Sequence, residues 1–183
     1  PWGGAVAVRT VNVVEANLAL EIKAIGTVVP ANTALIRSRV EGTLLRLAFT
    51  EGYEVKEGQL LAELDPAPYQ VRLSQAQGQY QQQLAQLDNA EKDLALYQGL
   101  IKKNTISQQQ LDQQHALVRQ LQGALKVSQA QIDDARLQLS YTQISAPFSG
   151  RTGLRHVDIG NLISANDSNG IVTLTQTQPI AVQ

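Results

Sequence analysis

The sequence predicts an α+β protein in which one long antiparallel helical hairpin interrupts a small β domain. Three observations predict it. Of the 24 glutamines, 20 lie between Gln70 and Gln143, a stretch with three glycines and no proline. On both sides run short Val, Ile, Thr and Leu segments broken by glycine, as in Val40-Glu41-Gly42-Thr43-Leu44-Leu45 and Gly170-Ile171-Val172-Thr173-Leu174, which is strand composition. Within the glutamine-rich stretch, apolar residues recur every seven positions, the signature of a coiled-coil seam.

Asp65 before Pro66 marks a helix start, with the carboxylate as N-cap and the proline at the first helical position, where its missing N–H costs nothing. Leu73, Tyr80, Leu87, Leu94 and Ile101 carry the first seam, with Tyr69, Ala76, Ala90 and Tyr97 at its second positions. Lys102 and Lys103 follow, where helix carbonyls are orphaned and the dipole is negative, and Asn104 suits the left-handed turn. Ser107 and Gln110 form an S-x-x-Q capping box, with Ile106 and Leu111 as its hydrophobic staple. The second seam runs through Leu111, Val118, Leu125, Ile132 and Leu139, with Leu121 and Ala135 at second positions, until Pro147 forbids helix beyond about Thr142. Gln83, Gln114 and Ser128 interrupt the seam.

Two helices of about 36 residues joined by about four must run antiparallel, as a rod of roughly 50 Å. The narrow apolar stripe favours a coiled-coil hairpin over a helix buried in a bundle. Gly78, Gly99 and Gly123 fall on the outer face, each costing about 1 kcal/mol against alanine. They read either as tolerated defects or as places where a lateral neighbour comes close.

The flanks repeat each other at a constant offset of 108: Ile36, Val40, Gly42, Gly52 and Val55 map onto Ile144, Phe148, Gly150, Gly160 and Ile163. Each copy reads as strand, glycine turn, strand, glycine turn and a further apolar strand. A unit of about 30 residues is too small to bury a core, but two related by an approximate two-fold can close a sandwich.

Composition narrows the function. The chain has 183 residues, only 43% hydrophobic and 4% aromatic, so any compact core is thin. Fifteen basic and sixteen acidic residues leave a net charge of −1, which removes any overall pull toward nucleic acid or anionic lipid. Without cysteine there is no disulfide, thiolate metal site or cysteine nucleophile. Without methionine the chain is expected to be processed or excised from a longer one. Apolar runs such as Ala5 to Val8 fall far short of the roughly 18 to 20 residues that span a bilayer, so this piece is expected to be soluble.

No catalytic constellation emerges. His115 and His156 lack a second ligand at metal-binding spacing, Ser149 reads as a turn serine, and no glycine loop carries the Lys-Ser/Thr of a phosphate site. The sequence is therefore read as that of a non-enzyme with no cofactor and no metal.

Val40-Glu41-Gly42 and Glu51-Gly52-Tyr53-Glu54-Val55-Lys56-Glu57-Gly58-Gln59-Leu60-Leu61-Ala62-Glu63-Leu64-Asp65 resemble the first half of a lipoyl/biotinyl domain. Ile144-Ser145-Ala146-Pro147-Phe148-Ser149-Gly150-Arg151 and Gly160-Asn161-Leu162-Ile163 resemble its second half. A carrier domain joins the halves through a hairpin displaying a modifiable lysine; here Asp65-Pro66 and the helices take that place, which argues against a carrier. A split lipoyl motif with a coiled-coil insertion is similar to periplasmic adaptors, or membrane fusion proteins, of Gram-negative efflux pumps, above all those of the resistance-nodulation-division (RND) type. Further stretches carry the likeness, among them Ala76-Gln77-Gly78-Gln79, Leu94-Ala95-Leu96-Tyr97-Gln98, Ser107-Gln108-Gln109-Gln110-Leu111-Asp112 and Gly170 to Ile180.

The resemblance implies a lipoyl-like β-sandwich split by the hairpin, plus partial strands of a β-barrel domain. The implied organisation is residues 1–33 as strands of incomplete membrane-proximal and barrel domains, 34–65 and 144–175 as the lipoyl halves, 66–143 as the hairpin, and 176–183 as the start of the barrel. Residues 1 to about 30 are expected to lack order, or to pair only among themselves or with Thr175 to Val182. The implied function is a periplasmic adaptor, associated with the inner membrane through an N-terminus outside this sequence. It would link an RND transporter to a TolC-type outer-membrane channel as a ring of copies, expected as a hexamer. The channel would be met at the hairpin tip by Leu96, Leu100, Lys102, Lys103, Asn104, Thr105, Ile106 and Ser107. Family members use an Arg, a Leu four residues on and a Ser seven further; Leu100 and Ser107 match, but Leu96 stands at the Arg position. Adaptors of ABC exporters or type I secretion systems are the alternative within transport.

Overall fold

Among the described residues ten strands and two helices follow one another, with the two helices between two β units as the glycine and seam patterns predict. The structure, a computed structural model, describes residues 3–23, 25–165 and 167–183. After β1 (Val28–Pro30) come β2 (Thr33–Ile36), β3 (Gly42–Leu47), β4 (Glu54–Val55) and β5 (Leu60–Leu64). The hairpin α1 (Ala67–Ile101) and α2 (Gln108–Ser140) intervenes. Then follow β6 (Gln143–Ser145), β7 (Gly150–Arg155), β8 (Leu162–Ile163), β9 (Val172–Thr175) and β10 (Ile180–Val182).

Adding 108 to the limits of β3 and β4 gives those of β7 and β8, so the repeat in sequence is a repeat in structure. Two antiparallel sheets have the orders β2-β9-β7-β4 and β6-β5-β3-β8. Replacing every strand by its counterpart in the other copy converts the first order into the second. Each sheet therefore mixes strands from both copies, and neither copy can form a sheet of the sandwich alone. Gly52 and Gly160, counterparts in the repeat, both take left-handed φ values, 77° and 92°. Gly150 is required for another reason: a Cβ there would lie 2.5 Å from the Thr175 carbonyl oxygen.

Leu44, Leu61, Leu64, Ile171, Val172 and Leu174 are fully buried between the sheets. Burying side chains of this size stabilises by about 1.5–3 kcal/mol each, which is how so small a domain holds together. The hairpin leaves this core where β5 pairs with β6; the Leu64 N–H donates to the Thr142 carbonyl at 2.8 Å, and Glu63 faces Gln143. Tyr69 ties the rod to the sandwich, buried by its ring and donating its hydroxyl to the Glu41 carbonyl at 2.6 Å.

Helix α1 begins one residue later than its sequence signals predict. Pro66 occupies the cap position rather than the first helical one, and Asp65 Oδ1 accepts from the Ala67 N–H at 3.0 Å. The carboxylate still satisfies an orphan donor, so the chemistry of the signal holds while its register moves by one. Helix α2 ends at Ser140, and the Thr142 hydroxyl donates back to the Leu139 carbonyl.

Along the rod only part of the seam is buried: Tyr69, Leu87 and Ala90 on α1, and Leu111, Gln114, Val118, Ser128 and Ile132 on α2. Leu94, Leu121 and Leu125 pack half-buried against the middle of the seam. Gln114, an interruption by sequence, closes the seam differently: its Nε2 donates to the Ala90 carbonyl at 2.8 Å across the hairpin. A buried amide with a partner costs little, and its bond forms in only one register.

Residues 3–23 form neither helix nor strand and are exposed. Pro1, Trp2 and Ala24, which the sequence places in the same N-terminal region, lie outside the described residues. Val28–Pro30 pairs antiparallel with Ile180–Val182, inside the segment that the sequence names as its partner.

Candidate functional site at the hairpin tip

The far end of the rod is built by two local signals. After Ile101 the chain turns through Lys102, Lys103 and Asn104, and Asn104 takes the left-handed conformation with φ 54°. The Thr105 N–H donates to the Leu100 carbonyl at 3.1 Å and the Asn104 N–H to the Ile101 carbonyl at 3.0 Å, which satisfies orphan carbonyls at the helix end. Ser107 then starts α2 with a complete capping box: its Oγ accepts from the Gln110 N–H at 3.2 Å and its own N–H donates to Gln110 Oε1 at 3.0 Å. The turn is thus held by the backbone and by the Ser107 and Gln110 side chains.

The structure gathers the eight tip residues named from sequence at one end of the rod but does not expose them equally. Lys102, Lys103, Asn104, Thr105 and Ser107 are exposed. Leu100 and Ile106 are half-buried and pack within the tip, whereas Leu96 stands 57% exposed on the outer surface of α1. An apolar side chain that exposed is the feature of the tip that its own packing does not use. Ser107 is committed to the capping box, so its hydroxyl has less to offer a partner than its exposure implies.

Among the described residues no three His, Asp or Glu side chains cluster as metal ligands. His115 is half-buried on α2 at the flank of α1 rather than fully on the outer face, and His156 joins the sandwich through its N–H to the Ile171 carbonyl. No described helix is long and apolar enough to cross a membrane. What the arrangement offers is surface: a rod about 50 Å long ending in a rigid turn, carried on a sandwich.

The family profile described as the barrel-sandwich hybrid domain of RND membrane fusion proteins matches residues 32–175, from β2 to the end of β9. The chain belongs to the RND membrane fusion protein family. Its curated relatives include the multidrug resistance proteins MdtA of Yersinia pestis (strain Pestoides F), 55% identical over 158 residues, and of Pectobacterium carotovorum subsp. carotovorum (strain PC1), 55% identical over 161. These alignments cover 86% and 88% of this chain but 36% and 39% of the relatives, so the chain spans little more than a third of their length. Among solved structures, the membrane fusion protein Spr0693 of Streptococcus pneumoniae R6 aligns with a TM-score of 0.66 at 16% identity, covering 86% of this chain and 67% of that one. ZneB of Cupriavidus metallidurans aligns with 0.59 at 17%, covering 86% and 66%. At such identities they show a common fold. In this membrane fusion protein the profile covers both sandwich halves and the hairpin between them, the same assembly that the repeat and the seam define.

Two features escape the sequence reading. The Gln114 bond to Ala90 carries no local signal beyond a polar residue at a seam position. The unequal exposure of Leu96 and Leu100 follows from heptad position, since Leu96 lies farther from the seam than Leu100.

Proposed function

We propose that this chain is the sandwich-and-hairpin part of a non-catalytic periplasmic adaptor for multidrug efflux, linking an inner-membrane RND transporter to a TolC-type outer-membrane channel. Copies are proposed to stand side by side as a ring, expected as a hexamer, with the hairpins forming a tube whose tips meet the channel. Residues 1–33 and 176–183 are assigned in this reading to adjoining membrane-proximal and barrel domains, with inner-membrane anchoring through an N-terminal segment.

The observation that carries the reading is the rod with its preformed, partly apolar tip, in a chain of the RND membrane fusion family. A rigid helical end with an exposed leucine suits docking into grooves between helices. The ring has separate support on the outer edges of the rod. Gln114 reaches Ala90 and Gln122 reaches Glu91, which puts Gly123 roughly level with Ala85, Ala130 with Gly78 and Leu137 with Val71. Copies in a ring stand at one height, so the α1 edge of one would meet the α2 edge of the next with glycine opposing alanine at two levels and Leu137 opposing Val71 at the third. Nothing in the chain itself lies within 4 Å of a Cβ built at Gly78 or Gly123, so their smallness serves no internal contact.

Two experiments test this. In cells expressing the full-length protein, Leu96→Asp is expected to abolish drug resistance while circular dichroism of the fragment stays unchanged. Normal resistance would defeat tip docking. Ser107→Arg is a poorer probe, because losing the cap costs about 1 kcal/mol by itself. Because the native chain has no cysteine, an Ala85→Cys and Gly123→Cys pair should yield a ladder of disulfide-linked copies; monomer alone would remove the edge-to-edge ring.

A further inference from the structure

The two edge strands β2 and β6, one from each sheet, do not meet, and between them opens a cleft of about 540 Å³ at the base of the hairpin. Its apolar lining that is not buried in the core comes from Leu35, Tyr141 and Pro147. Its charged wall comes from Arg37 and Arg39, which alternate with buried Ile36, Ser38 and Val40 and so are both turned out of the core. Among the described residues no aspartate or glutamate lines the cleft.

The two guanidinium groups are held but not neutralised. Arg39 lies over the Tyr141 ring at 5.0 Å, and Arg37 donates to the Ser168 carbonyl at 3.4 Å. Among the described residues neither makes an ion pair; the neighbouring carboxylates of Glu41 and Asp167 are not within 4.0 Å of them. Guanidinium is weakly hydrated and presents a planar fork that matches a carboxylate. Two such forks facing an apolar wall form a concave site with few, well-placed polar groups.

We propose that this cleft is a carboxylate-binding site, taking an anionic group carried on an apolar body. The arginines clamp the carboxylate while Leu35, Pro147 and the Tyr141 ring cover the body. Tyr141 is a positioning residue, fixing Arg39 by stacking. The carboxylate can come from a free organic anion or from an acidic side chain of a second copy of this chain. The site depends on neither the tip nor the ring.

The test uses the 183-residue chain at low salt. Titration calorimetry with 2,6-naphthalenedicarboxylate is expected to give saturable binding. The Arg37→Ala, Arg39→Ala double variant should weaken it by at least about tenfold, as loss of charge-assisted hydrogen bonds does. Arg37→Lys with Arg39→Lys should fall between, since lysine keeps charge but not the fork. Tyr141→Leu should weaken binding a few-fold. Both arginines are exposed, so circular dichroism of the variants should match the parent. Sedimentation velocity forms the second arm: self-association at low salt that the double alanine variant abolishes would assign the carboxylate to another copy. Anion binding unaffected by the alanines, or neither binding nor arginine-dependent association, would overturn the proposal.

Discussion

The sandwich and the rod solve the same problem of burial in opposite ways. In the sandwich, strands from two sequence copies interleave so that Leu44, Leu61, Leu64, Ile171, Val172 and Leu174 lose all contact with water. In the rod, helices of 35 and 33 residues bury eight residues between them, two of which are Gln114 and Ser128. The sandwich derives its stability from hydrophobic area. The rod has a thin seam, and its geometry is specified by caps, a left-handed turn and the interhelical hydrogen bonds of the Gln114 and Gln122 amides. A pair of helices extended away from the sheets has little area to spare for a core, so the sandwich is the compact part of the chain and the rod the extended one.

Substitutions should separate the two regions. The largest loss is expected at Leu44→Ala, about 3 kcal/mol in urea unfolding, from lost transfer energy and a cavity that the paired sheets cannot close. Leu87→Ala in the rod should cost less, about 2 kcal/mol, because neighbouring helices can relax toward each other; equal losses would mean that the rod is as tightly packed as the sandwich. Gly150→Ala comes next, at about 1–3 kcal/mol, since its Cβ would meet the Thr175 carbonyl and part β7 from β9. Gln114→Ala should lower thermal stability by about 1 kcal/mol, while Gln114→Leu should be near neutral, and a larger loss with leucine would show that the amide contributes more than its bond. Smallest and opposite in sign, Gly123→Ala should stabilise the isolated chain by up to about 1 kcal/mol and, if the edges meet in a ring, weaken the cross-linked ladder.

Much of the fold was legible because its signals are local. Ser107 with Gln110, Asn104 after two lysines, and the glycine turns at Gly52 and Gly160 each act within a few residues, where sequence and conformation are tightly coupled. The offset between Ile36 and Ile144 was visible because duplication leaves its spacing in the chain. The tip was legible as a place, and heptad position already separates its leucines: Leu100 flanks the seam and is half-buried, whereas Leu96 lies farther from it and is 57% exposed. Arg37 and Arg39 belong to no sequence motif, although the alternation of Ile36, Ser38 and Val40 with two arginines points them to one side.

The sequence by itself determined the two-part architecture, the positions at which helices stop and turn, and the existence of two related β units, since propensity, capping and periodicity are properties of neighbouring residues. The tertiary structure alone decided that each sheet draws strands from both units, that Gln114 bonds Ala90, and that two edge strands leave a cleft walled by arginines. Those outcomes depend on groups far apart in the chain, and their distance is set only when the hydrophobic core closes and brings β5 against β6.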